Sequence, residues 1–127
     1  NYLKKELAPL LLAVEKYKPI ELIGSSGAFD SVVDLIAEQC DTPPINDIQT
    51  EYNVDLVNYK IVSELIKKST TEQRQNLKGL VEMRVDMIII SILLIDFILN
   101  QLTIKQLRVS TYSLKEGVII KKMHLLA

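Results

Sequence analysis

"IELIGSSGAFDSVVDLIAE" (Ile20–Glu38) joins a short apolar run, two glycines flanking two serines, and a helical pattern. Ile20–Ile23 has the length of a buried strand. Phe29, Val32, Val33 and Ile36 then recur at three- and four-residue steps, which predicts a helix over 28–39. Two readings of Gly24-Ser25-Ser26-Gly27 stand side by side. One is a tight strand-to-helix turn, where glycine lets the backbone bend sharply. The other is an anion site, because the first N–H groups of a helix lack partners and its dipole places positive potential there. Neither GxxxxGK[ST] nor GxGxxG is present. Asp30, in the first helical turn, sets a carboxylate where an anion would bind.

Toward the N-terminus, Leu3, Leu7, Leu10, Leu11 and Val14 build one apolar face of a helix over 2–17. Pro9 either kinks it or marks its first turn, and Pro19 ends it. Toward the C-terminus, "CDTPPIND" (Cys40–Asp47) reads as a loop and "IQTEY" (Ile48–Tyr52) as a short exposed strand. Asp55 is placed to cap a helix over 56–68, with Val57, Ile61 and Leu65 on one side. Ser69–Gln73 holds two overlapping capping-box spacings, so a short helix starts there, stopped by Gly79. Residues 83–101 form a central helix about 27 Å long. Its Asp86, Asp96 and Asn100 share a stripe expected to meet water, and Arg84 and Ser91 fall opposite, on a face that is buried or lines a cleft. "LRVST" (Leu107–Thr111) is another strand, and Ser113 caps a last helix through Leu114–Lys122.

Strands separated by helices predict an α/β fold, helix-rich, with two or three short strands, parallel where paired. So few strands make a poor sheet alone. Asn1 opens directly on a helical pattern, and the other end stops on "HLLA" (His124–Ala127). The expectation is a single partial domain, 1–127, of a longer protein.

Composition narrows the function. The 127 residues are 48% hydrophobic and 24% charged, with a net charge of −1 and a pI near 5.9. That balance argues against a charge-driven partnership with duplex nucleic acid or a membrane surface. The run "VDMIIISILLIDFIL" (Val85–Leu99) is too short for a bilayer and carries Asp86 and Asp96, so it reads as a core helix. The single cysteine, Cys40, forms no internal disulfide, and no signal peptide is visible, which makes the cytoplasm the default compartment.

Few residues point to chemistry. Arg84, a cation on the inner side of an apolar helix, needs either a buried carboxylate, a helix C-terminus or an anion in a cleft. In "SLKEG" (Ser113–Gly117), Gly117 inside a helix costs about 1 kcal/mol against alanine, so close packing or a ligand is a reason for it. His124, the only histidine, has no partner at metal-ligand spacing, and Cys40 carries no sign of activation. GxSxG, HExxH and CxxC are absent. No metal site and no catalytic residue is expected in this chain.

Three stretches in order, "ELIGSSGAFDSVVDL", "LKGLVEMRVDMIIISILLIDFIL" and "IKQLRVSTYSLKEGVII", resemble the exopolyphosphatase / guanosine-pentaphosphate phosphatase (Ppx/GppA) family over residues 20–121. The resemblance implies an actin/hexokinase/Hsp70-like (ribonuclease H-like) fold of two lobes, and places this chain late in the second. It implies that Gly24, Ser25, Ser26 and Gly27 are a phosphate- or nucleotide-binding loop at the inter-lobe cleft. Gly79, Arg84 and Asp86 match a Gly-Leu…Arg-x-Asp segment, and Ser110, Leu114, Glu116 and Gly117 a Ser…Leu-Arg/Lys-Glu-Gly segment. Arg84, Ser91, Ser110, Glu116 and Gly117 are the further candidates for the cleft. Ala28 stands where many relatives have Thr, Asp30 where a basic residue is frequent, Ser91 for Gly, Thr111 for Asp and Ser113 for Gly.

The resemblance implies a cytoplasmic parent hydrolase removing terminal phosphate from polyphosphate or guanosine pentaphosphate. Magnesium would act in the intact enzyme and none would be bound by this chain alone. The catalytic glutamate, the first lobe and the main phosphate loop would belong before Asn1. The expected partners are that missing part, a phosphate-bearing small molecule or polyphosphate, and a second copy through exposed strand edges and apolar helix faces. The alternatives are a diverged, non-catalytic lobe that binds a nucleotide, polyphosphate or protein, and a helical interaction module unrelated to the family.

Overall fold

The computed structural model describes residues 2–43 and 48–126. The expected loop Cys40–Asp47 therefore lies partly outside the described residues. The elements in order are α1 (Tyr2–Glu6), α2 (Ala8–Tyr17), β1 (Glu21–Ser25), α3 (Ala28–Gln39), β2 (Glu51–Val54), α4 (Leu56–Lys68), α5 (Thr71–Gln75), a 3-10 turn (Glu82–Arg84), α6 (Ile88–Gln101), β3 (Gln106–Ser110) and α7 (Leu114–Leu126).

Pro9 falls in the first turn of α2, where its missing N–H leaves no gap in the ladder. It divides the predicted helix 2–17 into α1 and α2. Lys18 closes α2 in the left-handed conformation, its N–H donating to Val14 O at 2.7 Å. Helix α3 has the predicted bounds. Asp55 caps α4, its Oδ1 accepting from Val57 N at 2.7 Å and Asn58 N at 3.0 Å. Of the two capping boxes, Thr70 and Gln73 form the reciprocal pair. Ser69 closes α4 instead, its hydroxyl donating to Ile66 O at 2.8 Å.

The sheet is mixed, in the order β1-β3-β2. Strand β1 runs parallel to β3, with Leu22 beside Leu107 and Gly24 beside Val109. Strand β2 runs antiparallel to β3, with Val54 beside Leu107 and Tyr52 beside Val109. This corrects the expectation that every pair would be parallel. That rule needs a helix to return the chain before each strand. Between Gln39 and Glu51 there is none among the described residues, and β2 begins beside Ser110, at the C-terminal end of β3.

Helices α3, α4 and α6 cover one face of the sheet. Val32, Leu35, Val62, Ile66, Ile88, Ile92, Leu107 and Val109 are the centre of the core. The apolar stripe predicted on α4 is not its buried face. Val57 and Ile61 are exposed, and Tyr59, Val62, Ser63 and Ile66 point inward. Two polar residues thus occupy core positions, and their partner lies on α6.

The predicted helix 83–101 is shorter than expected. Helix α6 begins at Ile88 and is about 21 Å long at the standard rise. Before it, Arg84 N donates to Val81 O (2.9 Å), Val85 N to Glu82 O (3.1 Å) and Met87 N to Arg84 O (3.1 Å), a run of tight turns rather than a helix. Arg84 and Ser91 consequently do not share a helix face. Asp86 and Asn100 are exposed as expected, but Asp96 is not. It turns inward to α4. Among the described residues no helix is long and apolar enough to cross a membrane.

Candidate functional site

Strand β1 runs through Ser25, so the turn to α3 is only Ser26 and Gly27, both at positive φ (60° and 51°). Gly27 is the glycine this backbone requires. Gly24 is required for another reason: a β-carbon there would overlap the Phe29 ring, which lies across the strand. The turn is closed by Phe29 N donating to Ser26 O at 3.1 Å, and by Ser31 N and Oγ donating to Gly27 O at 3.3 and 3.4 Å. The N–H groups of Gly27, Ala28 and Asp30 have no backbone acceptor among the described residues. They are the free donors of a helix start.

Arg84 lies over this turn. A β-carbon placed on Gly27 would be 3.3 Å from Arg84 Nη1 and 3.5 Å from Nη2. Among the described residues the guanidinium forms no ion pair or hydrogen bond. The buried carboxylate or helix C-terminus considered from the sequence is not its neighbour. It faces instead the positive end of α3, an unfavourable pairing that a bound anion would relieve. Asp30 is exposed in the same first turn.

The other candidates are distributed as follows. Ser25 and Ser110 are register partners at the C-terminal ends of the parallel strands. Ser110 Oγ accepts from Tyr112 N at 3.2 Å, which turns the chain out of β3. Glu116 folds back on the start of its own helix, its Oε2 accepting from Ser113 N at 2.7 Å and Ser113 Oγ at 2.9 Å. The Ser113 backbone N–H, foremost, lowers the Glu116 carboxyl to about 2. A β-carbon on Gly117 would meet nothing within 4 Å, so packing inside this chain is not what keeps glycine there. Ser91 donates to Met87 O at 3.2 Å within its own helix. The fold thus gathers Gly24–Gly27 and Arg84 at one sheet end, sets Ser110 beside Ser25, and leaves Ser91 and Glu116 occupied locally. Among the described residues no three acidic, histidine or cysteine side chains converge.

The sequence reading missed three polar arrangements. Asp96 Oδ1 accepts from Tyr59 Oη at 2.9 Å, and its Oδ2 from Ser63 Oγ at 2.8 Å and Lys67 Nζ at 2.9 Å. The signal was present: Tyr59, Ser63 and Lys67 are spaced i, i+4, i+8, a polar stripe beside Val62 and Ile66. Arg108 bridges the outer face of the sheet, Nη1 donating to Glu51 Oε2 at 2.8 Å and Nη2 to Glu21 Oε2 at 2.7 Å, while Glu21 Oε1 lies 2.6 Å from Nε but off its hydrogen-bonding direction. Among the described residues Arg74, and not Arg84, is the buried cation, 7% exposed. Nothing in its spacing announced this.

The description "Ppx/GppA phosphatase family" belongs to the family profile that matches residues 1–126. The chain is also similar to a crystal structure of an exopolyphosphatase from Cytophaga hutchinsonii ATCC 33406, with 32% sequence identity and a TM-score of 0.89, over 98% of this chain and 40% of that one. The likeness carries the actin-like α/β fold. This chain spans less than half the length of that protein. The comparison with curated proteins returned no match.

Proposed function

This chain belongs to the Ppx/GppA phosphatase family, and on that premise we propose that it forms one wall of the cleft of a longer phosphoanhydride hydrolase. The substrate class is a chain of phosphates, polyphosphate or a guanosine pentaphosphate. Water attacks the terminal phosphorus, the bridging P–O bond breaks, the shortened chain leaves with the bridging oxygen, and the proton passes to a base outside this chain. The role of these residues is to bind and orient. The N–H groups at the start of α3 and the Arg84 guanidinium hold phosphoryl oxygens in fixed positions, donors of the kind that stabilise developing charge. Asp30 keeps the affinity low, opposing an anion at that helix end by about 0.3–1 kcal/mol. Magnesium belongs to the proposal as a companion of the phosphate chain, not as a ligand of these side chains.

The observation that carries this reading is Arg84 beside Gly27 with no carboxylate partner among the described residues. Phosphate release from polyphosphate and from guanosine pentaphosphate, with magnesium, tests it. The longer polypeptide is expected to turn over, its Arg84→Met variant to lose about a hundredfold, and the 127-residue chain to release nothing. Turnover by the 127-residue chain alone contradicts the assignment of catalysis to residues outside it. A longer polypeptide that binds polyphosphate without hydrolysis makes this a binding lobe.

A further inference from the structure

Arg74 lies in the last turn of the short helix α5 and is almost wholly buried. A buried guanidinium without a carboxylate needs several oxygens in its plane. It has them: Nε donates to Val85 O at 3.1 Å, Nη1 to Ser69 O at 2.7 Å, and Nη2 to Thr71 Oγ1 at 3.1 Å. Ser69 is the C-terminal cap of α4, so the cation also meets the negative end of that helix. One arm is therefore fixed to α4, another to the start of α5, and the third to the carbonyl directly after Arg84.

That third contact matters because 81–87 is not a regular helix. Its i→i+3 bonds fix the turn internally, and the buried Val85 side chain holds it to the core. The Val85 carbonyl is held from outside by Arg74. We propose that Arg74 is a positioning residue for Arg84: it locks the turn so that the Arg84 guanidinium stands over Gly27 and the start of α3. The inference rests on the reading of that turn as a phosphate contact. Lysine cannot replace Arg74, because a single ammonium on a flexible stem cannot reproduce the planar fork to three acceptors.

The test is a double-mutant cycle on the 127-residue chain, titrated calorimetrically with inorganic tripolyphosphate. Arg84→Met and Arg74→Lys are each expected to weaken binding by about tenfold, and the double variant to bind no more weakly than Arg84→Met alone. Thr71→Val, which removes one acceptor and keeps the charge, is expected to give a smaller loss that also vanishes beside Arg84→Met. It serves as the variant to read if Arg74→Lys does not fold. Losses that add in either cycle, or wild-type affinity in a folded Arg74→Lys chain, overturn the proposal. If the wild-type chain does not bind tripolyphosphate, the phosphate reading fails by itself. Positioning is then read from the NMR relaxation of Arg84 Nε–Hε: mobility rising in Thr71→Val supports it, and unchanged mobility overturns it.

Discussion

Asp96 accepts hydrogen bonds from Tyr59, Ser63 and Lys67 across the α4–α6 contact. Burial alone would raise its carboxyl, but Lys67, Ser63 and Tyr59 outweigh it and hold the group below its usual value of 3.8. The sign follows. A carboxyl depressed in the folded state adds stability above its unfolded value, and that stability is lost as pH falls through the lower folded one. Asp96→Asn should therefore destabilise the chain by about 1–3 kcal/mol at pH 7, with the gap from wild type closing below pH 3.8. Urea unfolding at both pH values reads it, and a gap of constant size contradicts the network. Asp96 was legible as polar, but its direction was not. A stripe of Asp86, Asp96 and Asn100 looks solvated until the matching stripe on α4 is set against it.

Two glycines contrast a turn that needs one with a helix that does not. Gly79 has φ of 86°, and a β-carbon there would lie 2.7 Å from Asp34 O, where α3 passes against the turn. Gly117 sits inside α7 with open space at the same position. Gly79→Ala is expected to destabilise by more than 1 kcal/mol, roughly the magnitude of an incompatible backbone substitution. Gly117→Ala is expected to stabilise the isolated chain by about 0.5–1 kcal/mol. Thermal unfolding of the two variants should move in opposite directions; a loss of stability at Gly117 contradicts the open space seen there. At this scale a local rule was enough for Asp55, for Thr70 with Gln73, and for the bounds of α3, but not for the end of α5, which stops at Gln75 with Asn76 as its cap and not at Gly79. The sequence was silent where a distant contact decides. The start of α6 is set by the tight turns that Arg74 and Val85 anchor, and the direction of β2 by its antiparallel pairing with β3.

The molecule as a whole leaves large apolar side chains in water. Ile90 and Leu93 on α6, Met83 and Met87 before it, and Ile119 and Leu125 on α7 are all at least half exposed. Both β1 and β2 are edges of the three-stranded sheet. Surfaces of this kind associate, so sedimentation velocity should show mass above the monomer as concentration rises, reduced in Leu93→Glu. A monomer at every concentration contradicts that account of the exposed faces. The family was legible because three motifs survive in order, and the turn at Gly24–Gly27 because glycine and serine mark it. What the motifs left open was the pairing of that turn with Arg84, which depends on the segment 81–87 folding as it does. The claim that this pairing is a phosphate contact is tested most directly by NMR titration of the 127-residue chain with inorganic tripolyphosphate. Saturable shifts are predicted at the Gly27, Ala28 and Asp30 amides and at Arg84 Nε, abolished by Arg84→Met. Shifts that instead spread over surface lysines, or leave the turn unmoved, contradict it.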